Sequence, residues 1–386
     1  MPLNHLELQE QITCFSRESL RYHQNAQEQL AQALQALAHF SSDLEKMQRI
    51  GNVATVRVAI PTGENPATPF SVLTETNTCN LVCADGSQII PDPHAVPVFA
   101  LVNIGVIRIL AGQSEPIQPL IYSKLLQHDQ LYVNNELVNE EMVNLERDML
   151  EMRHLSENCR GLKGPVIALR DGMLELYHEP RNQQAFQEKV QSYHAYLESL
   201  HAADVIGAGY VDKPRSQMVL ELLRLCAAED QKQSAAAFFP NLIDRQLFEQ
   251  RLKSGERSAI FENRPCRDNP AERFSSKFFF FYFNVSCNEK PWIVRVEIPD
   301  WVAADSAKVN LLQSVLLEQC AIMGTKPYPY CLHRAHETAL VRQEEKDELG
   351  KRIQTHQLQD GIPLDEKSYK QSAKDHEPRK TVERKR

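Results

Sequence analysis

The sequence lacks a basic surplus. Its 386 residues carry a net charge of −8 and a pI near 5.9, whereas nucleic-acid binders usually show more cations than anions. Composition therefore disfavours that partner, while leaving room for a small basic groove on an acidic protein. No apolar run approaches the roughly 20 residues that span a bilayer. The N-terminus, Met1-Pro2-Leu3-Asn4-His5, lacks the basic segment and apolar core of an export signal, so the expectation is no membrane partner and a cytoplasmic protein. The nine cysteines are scattered, and the closest, Cys79 and Cys83, have no matching second pair. That spacing argues against a zinc knuckle, and the odd count points to reduced thiols. There is no G-x-x-x-x-G-K-[ST] loop for nucleotide hydrolysis. Gly207-Ala208-Gly209 is not followed by the third glycine of a dinucleotide fingerprint.

What is present is 42% hydrophobic residues, enough for one large domain or two ordinary ones. Residues 1–50 read as helix, with Leu30, Leu34, Leu37, Phe40, Leu44 and Met47 stepping by three and four. That stripe predicts a helix packed on its own domain rather than a coiled coil. The stretch Leu81 to Ile90 is an apolar run that stops at Asp85, is expected to turn on Gly86-Ser87, and resumes. Asp-Gly is a common hairpin turn, but a strand ending in Asp also fixes a carboxylate at a sheet edge, as metal-dependent phosphoryl transfer requires. Val98 to Leu110 reads as one or two buried strands, Gly112 to Glu115 as a turn and Ile117 to Tyr122 as another strand, an antiparallel start to a sheet.

Val138 to Cys159 has helical periodicity and carries Glu146, Asp148 and Glu151. Val166 to Leu174 then repeats the earlier grammar: apolar strand, Asp171, Gly172. Two Asp-Gly strand ends joined through an acid-bearing helix are a stronger signal than either alone. Asp212-Lys213-Pro214-Arg215-Ser216 is a basic turn before a helix; it either holds a phosphate or is a solvated cap. Residues 227–275 read as a polar insertion. Phe278 to Phe283 requires burial, with Trp292 to Ile298 as its pairing partner. A helix over 305–323, the segment Tyr328 to His336, and further helix to about Leu349 follow. Residues 350–386 mix both charge signs and read as a disordered tail. Asp85, a helical Glu, Asp171 and a C-terminal His would suit Mg²⁺ or Mn²⁺, the histidine favouring Mn²⁺.

The order of motifs resembles the NurA nuclease family over roughly residues 75–345. The resemblance rests on Asp85-Gly86-Ser87-Gln88, Arg147-Asp148-Met149-Leu150-Glu151, Leu169 to Leu174, Gly209 to Ser216, and Tyr328-Pro329-x-x-Leu332-x-x-Ala335-His336. It implies an α/β fold with a ribonuclease H-like mixed sheet flanked by helices. The domain would span 51–345, after an N-terminal helical segment and before the charged tail. It further implies a homodimer that uses Mn²⁺, with Mg²⁺ as the alternative. Such an enzyme degrades DNA 5′ to 3′ and cuts single strands in double-strand-break resection, beside a HerA-type hexameric ATPase. By resemblance, Asp85, Glu151, Asp171 and His336 become metal ligands, Tyr328 lines the site, and Lys213 and Arg215 contact DNA. Glu146 competes with Glu151, and His333 with His336. Other functions compatible with the residues are a catalytically silent dimeric adaptor for a translocase, and a phosphoesterase acting on RNA.

Overall fold

In a computed structural model, residues 3–72, 78–111, 117, 119–133, 135–176, 183–265 and 277–363 are described. The expected turn at Gly112 to Glu115 and residues 364–386 of the tail lie outside them. The chain begins with α1 (His5–Phe40) and α2 (Leu44–Val53), then β1 (Val58–Pro61), β2 (Asn80–Ile89), β3 (Leu101–Ile109) and β4 (Leu120–Leu125). Next come α3 (Glu140–Cys159), β5 (Val166–Asp171), α4 (Gln183–Ala202), β6 (Ile206–Val211) and α5 (Met218–Gln231). The remainder holds β7 (Phe261–Arg264), β8 (Phe278–Asn284), β9 (Ile293–Pro299), α6 (Ser306–Ile322), α7 (Tyr330–Ala339) and α8 (Gln343–Gln359).

The sheet runs β1-β7-β8-β9-β6-β5-β2-β3-β4. The strands β2, β3 and β4 form an antiparallel meander, and β5 and β6 run parallel to β2. The order β4-β3-β2-β5-β6, with β3 reversed, is the ribonuclease H-like arrangement. The antiparallel strands β9, β8, β7 and β1 extend it beyond β6. Alternation of side chains along the strands sends one set toward α3 and α4 and the other toward α6 and α7. Under the extension, α1, α2 and α5 cover Phe280, Tyr282 and Ile293. The helix starts are chemically marked: Asn139 accepts from the Met142 N–H at 3.0 Å, and Asp305 from the Ala307 N–H at 2.9 Å.

The apolar stripe of the first two helices packs against α5 within the same core, through Leu37, Phe40 and Met47. The expected strand Phe278 to Phe283 is buried along its whole length and pairs with β9, as Phe280↔Glu297 and Tyr282↔Arg295. Three expectations need correction. First, β2 does not end at Asp85 and Gly86-Ser87 is no turn, because β3 runs alongside it (Gly86↔Ile104, Ser87↔Asn103) and supplies hydrogen-bond partners through Ile89. Second, 227–265 is no polar excursion. Leu242, Leu247 and Phe248 are buried, and β7 belongs to the main sheet. Third, residues 350–359 are not an irregular tail but the end of α8, held by the Gln354 side-chain amide donating to the Val96 carbonyl at 2.7 Å.

Candidate active site

Asp85 is the first residue of β2 beyond its pairing with β5, which ends at Ala84↔Arg170. Strand β5 stops at Asp171 while β2 continues, so the two carboxylates stand where the pairing of these two strands ends, on the face covered by α7. That helix is pressed close to the sheet. A Cβ on Gly105, the residue opposite Asp85, would meet the Ala335 carbonyl oxygen at 2.5 Å. The Ala339 carbonyl accepts from the Ser87 hydroxyl and, at 2.8 Å, from the Asn103 amide. Anchored at that end, α7 presents His336, whose Nδ1 lies 2.7 Å from Asp85 Oδ2. Asp85 Oδ1 accepts from the Gly86 N–H at 2.8 Å. The Asp85 side chain is buried, while the imidazole is 59% exposed.

Asp171 completes this group. Burial and the nearby Asp85 charge push its carboxyl up, opposed by a hydrogen bond from Tyr328 and by His336. Burial and the Asp171 charge in turn hold the Tyr328 phenol well above its usual range. Its ring meets Tyr210 edge-on, with centroids 5.4 Å apart.

Glu151 approaches from the opposite face, on α3. A Cβ on Gly86 would lie 2.6 Å from its Oε1, so the missing side chain at Gly86 makes the space through which Glu151 nears the strand. Its oxygens are engaged by arginines: Oε2 by Arg170 Nε at 2.8 Å, and Oε1 by Arg147 Nε at 3.3 Å. Burial pushes Glu151 up to about 7, with Arg170 and Arg147 opposing and Asp148 and Asp85 reinforcing. Arg170 is 4% exposed and also meets Asp148 at 2.7 Å, the Met173 carbonyl at 2.9 Å and the Tyr193 hydroxyl at 3.2 Å. Glu146 is directed elsewhere, to Lys124 at 2.6 Å and to Lys189. His333 lies 3.5 Å from Glu337, on the exposed side of α7.

The structure thus brings together Asp85, Asp171, His336 and Tyr328, with Glu151 behind Gly86. Among the described residues, no three His, Cys, Asp or Glu side chains are grouped as a metal ion needs. The donor chemistry nevertheless fits a hard divalent cation: two carboxylates, of which Asp171 is raised by burial and by the Asp85 charge, plus an imidazole. Glu151 would have to exchange an arginine to join them.

The turn carrying Lys213 and Arg215 leaves β6 beside Asp171, since Asp171 pairs with Tyr210. Both cations are exposed. Lys213 takes a positive φ of 49° and lies 5.0 Å from the Trp292 ring centroid, whose Nε1–H donates to Asp212 at 2.9 Å. Ser216 faces inward, with its hydroxyl 2.8 Å from the Tyr282 hydroxyl.

Sequence reasoning named Arg170 and Arg147 within its motifs but gave them no role as carboxylate partners, and it passed over Gly105. An arginine inside Val-Ile-Ala-Leu-Arg-Asp was the available signal for the first, because a buried guanidinium needs carboxylate partners. A lone glycine in the apolar β3 likewise marks a close approach.

Comparison with known proteins adds a family. The NurA domain family matches residues 80–341, more than half of the chain. The crystal structure of the NurA nuclease from Sulfolobus solfataricus is similar at 13% identity and a TM-score of 0.47, covering 84% of this chain and 93% of that one. Drosophila Piwi is similar at 11% identity and a TM-score of 0.30, over 67% of this chain and 29% of its own. The C-terminal lobe of a budding yeast Argonaute is similar at 12% identity and a TM-score of 0.27, over 69% of this chain and 47% of its own. No curated protein matches the sequence.

Proposed function

This chain belongs to the NurA family, and on that premise we propose that it is a metal-dependent DNA nuclease. The observation that carries the proposal is the placement on one sheet face of Asp85, just past the end of the β2–β5 pairing, Asp171 at the end of β5, and His336. Asp85, Asp171 and His336, joined by Glu151 once it leaves Arg170 or Arg147, would hold Mn²⁺ or Mg²⁺. A bound divalent ion would supply charge stabilisation for a phosphodiester and an activated water.

The protein's own groups supply the rest. With Nδ1 bonded to Asp85, His336 has Nε2 on its exposed ring for one of two tasks, holding the cation or, in its place, moving a proton at the phosphate. Tyr328, hydrogen-bonded to Asp171, fixes that carboxylate's orientation. Lys213 and Arg215 pair with the phosphate backbone and set the strand's position.

The finer reading follows the family resemblance: 5′ to 3′ exonuclease and single-strand endonuclease activity in end resection, as a homodimer with a HerA-type ATPase. A nuclease domain over 51–345 and a cytoplasmic location belong to the same reading. No helix among the described residues is long and apolar enough to cross a membrane. The deciding experiment is cleavage of end-labelled linear DNA by wild type and Asp85→Ala, with and without Mn²⁺. Metal-dependent cleavage lost in the variant supports the proposal. Cleavage that survives the substitution refutes the assigned residues. No cleavage, alone or with the ATPase, leaves an adaptor.

A further inference from the structure

Near the end of the β2–β5 pairing, but on the sheet face covered by α5 rather than α7, is a cavity of about 620 Å³, lined by Val56, Arg57, Met173, Gln217, Asn263 and Arg295, among others. Its size falls in the range of about 300–1,000 Å³ typical of small-molecule sites. Two connections tie it to the cluster. Met173 follows Asp171 by two residues, so their Cα atoms are at most about 7 Å apart. Ser216 and Gln217, also in its wall, continue the exposed turn that carries Lys213 and Arg215.

The charges in its wall are already matched. Both oxygens of Glu175 accept from Arg57, one of them at 3.0 Å, and the Asn263 amide donates to Glu175 at 2.9 Å. Arg295 meets Glu297 at 2.6 Å, and Glu297 also accepts from the Leu174 N–H at 2.8 Å. An anion entering here would find no uncompensated cation. Arg295 is nonetheless buried, and its Nε has no hydrogen-bond partner among the described residues. At the lip, Val56 and Met173 are 39% and 40% exposed. The cavity therefore suits a neutral ligand with apolar faces and a polar edge.

We propose that this cavity receives the nucleobase of a nucleotide in the same bound strand as the scissile phosphate, which passes around the strand ends, packed on Val56 and Met173 with its edge toward Gln217 and Arg295. The assignment rests on the nuclease reading. The neutral base enters the cavity, and its phosphates remain outside near Arg215. A base stacked within a duplex cannot reach such a recess, so the cavity selects single strands and frayed ends.

The test is equilibrium binding, in EDTA, of a labelled ten-nucleotide DNA strand and of the same strand with one abasic site moved along it. Wild type is expected to lose roughly tenfold in affinity when the missing base falls at one particular position, as for loss of one stacked base. Val56→Trp, which fills the cavity, and Met173→Ala, which removes a packing surface, are each expected to bind the intact strand weakly and to lose that positional preference. The second variant decides the matter should the first fail to fold. Equal affinity for every abasic strand, or variants that keep the preference, would overturn the pocket and leave the nuclease reading standing. Tighter binding of the matching RNA strand, or no binding of any DNA strand, would overturn both.

Discussion

His336 Nδ1 lies 2.7 Å from Asp85 Oδ2, although 251 residues separate them in the chain. The contact exists because α7 is docked across β2 and β3 through Gly105, Ser87 and Asn103. It makes the imidazole an extension of the strand's carboxylate. His336→Ala is expected to lower cleavage about 10²-fold or more, as for loss of a proton-transfer group. Asp85→Asn should cost at least as much and also weaken divalent-metal binding. Cleavage rates across a metal titration, with calorimetry of metal binding, check both.

Gly105→Ala tests the docking itself. The new methyl would stand 2.5 Å from the Ala335 carbonyl oxygen, a backbone atom that cannot swing aside. The helix must move or the strand must bend, at about 1–3 kcal/mol for an overpacked contact. A lower denaturation midpoint together with lost cleavage is expected. A variant with normal stability and activity would show that α7 need not sit this close.

Arg170 is the partner of two carboxylates, Glu151 and Asp148. Replacing it with Met leaves both without that charge in a buried setting, which costs about 3–5 kcal/mol. Adding Glu151→Gln to that variant should recover part of the loss, because Arg147 then has only the Asp148 charge left to balance. Urea unfolding of the two variants measures the difference.

Asp244 is wholly buried and accepts from the backbone of Val219 and Leu220 and from Tyr282. Burial nonetheless raises it from 3.8 to about 6. The raised value means the folded chain holds this proton more tightly than the unfolded one. Its contribution to stability is therefore complete below about pH 4 and is lost as pH rises through 6. The difference is worth on the order of 3 kcal/mol. Wild type should gain stability relative to Asp244→Asn between pH 6 and 4, as read from paired unfolding curves. Parallel curves would show that Asp244 does not titrate there.

Lys213 and Arg215 are exposed at the edge of the cluster. If they pair with phosphates, Lys213→Ala/Arg215→Ala should bind all DNA sequences more weakly. It should also lower the slope of log affinity against log salt by roughly 0.7 per lost contact on single strands. An unchanged slope would remove them from the interface.

The local grammar of the chain was legible without coordinates. Apolar runs gave β5, β8 and β9, three-and-four spacing gave α3 and the stripe of α1 and α2, and the resemblance singled out Asp85, Glu151, Asp171 and His336. Each of these signals lies within a short window, where side-chain period and residue chemistry are enough. The fate of the two Asp-Gly pairs was not legible. Gly172 turns with a φ of 90°, whereas Gly86 stays in the strand because β3 continues beside it. The same dipeptide yields two conformations, and the neighbouring strand decides between them. Glu151 shows the same limit. Its helical position is written in the sequence, but its engagement with Arg170 and Arg147 depends on burial between α3 and β5. A carboxylate's partners are set by what the folded chain places within about 3 Å of it, and residues distant in sequence supply them.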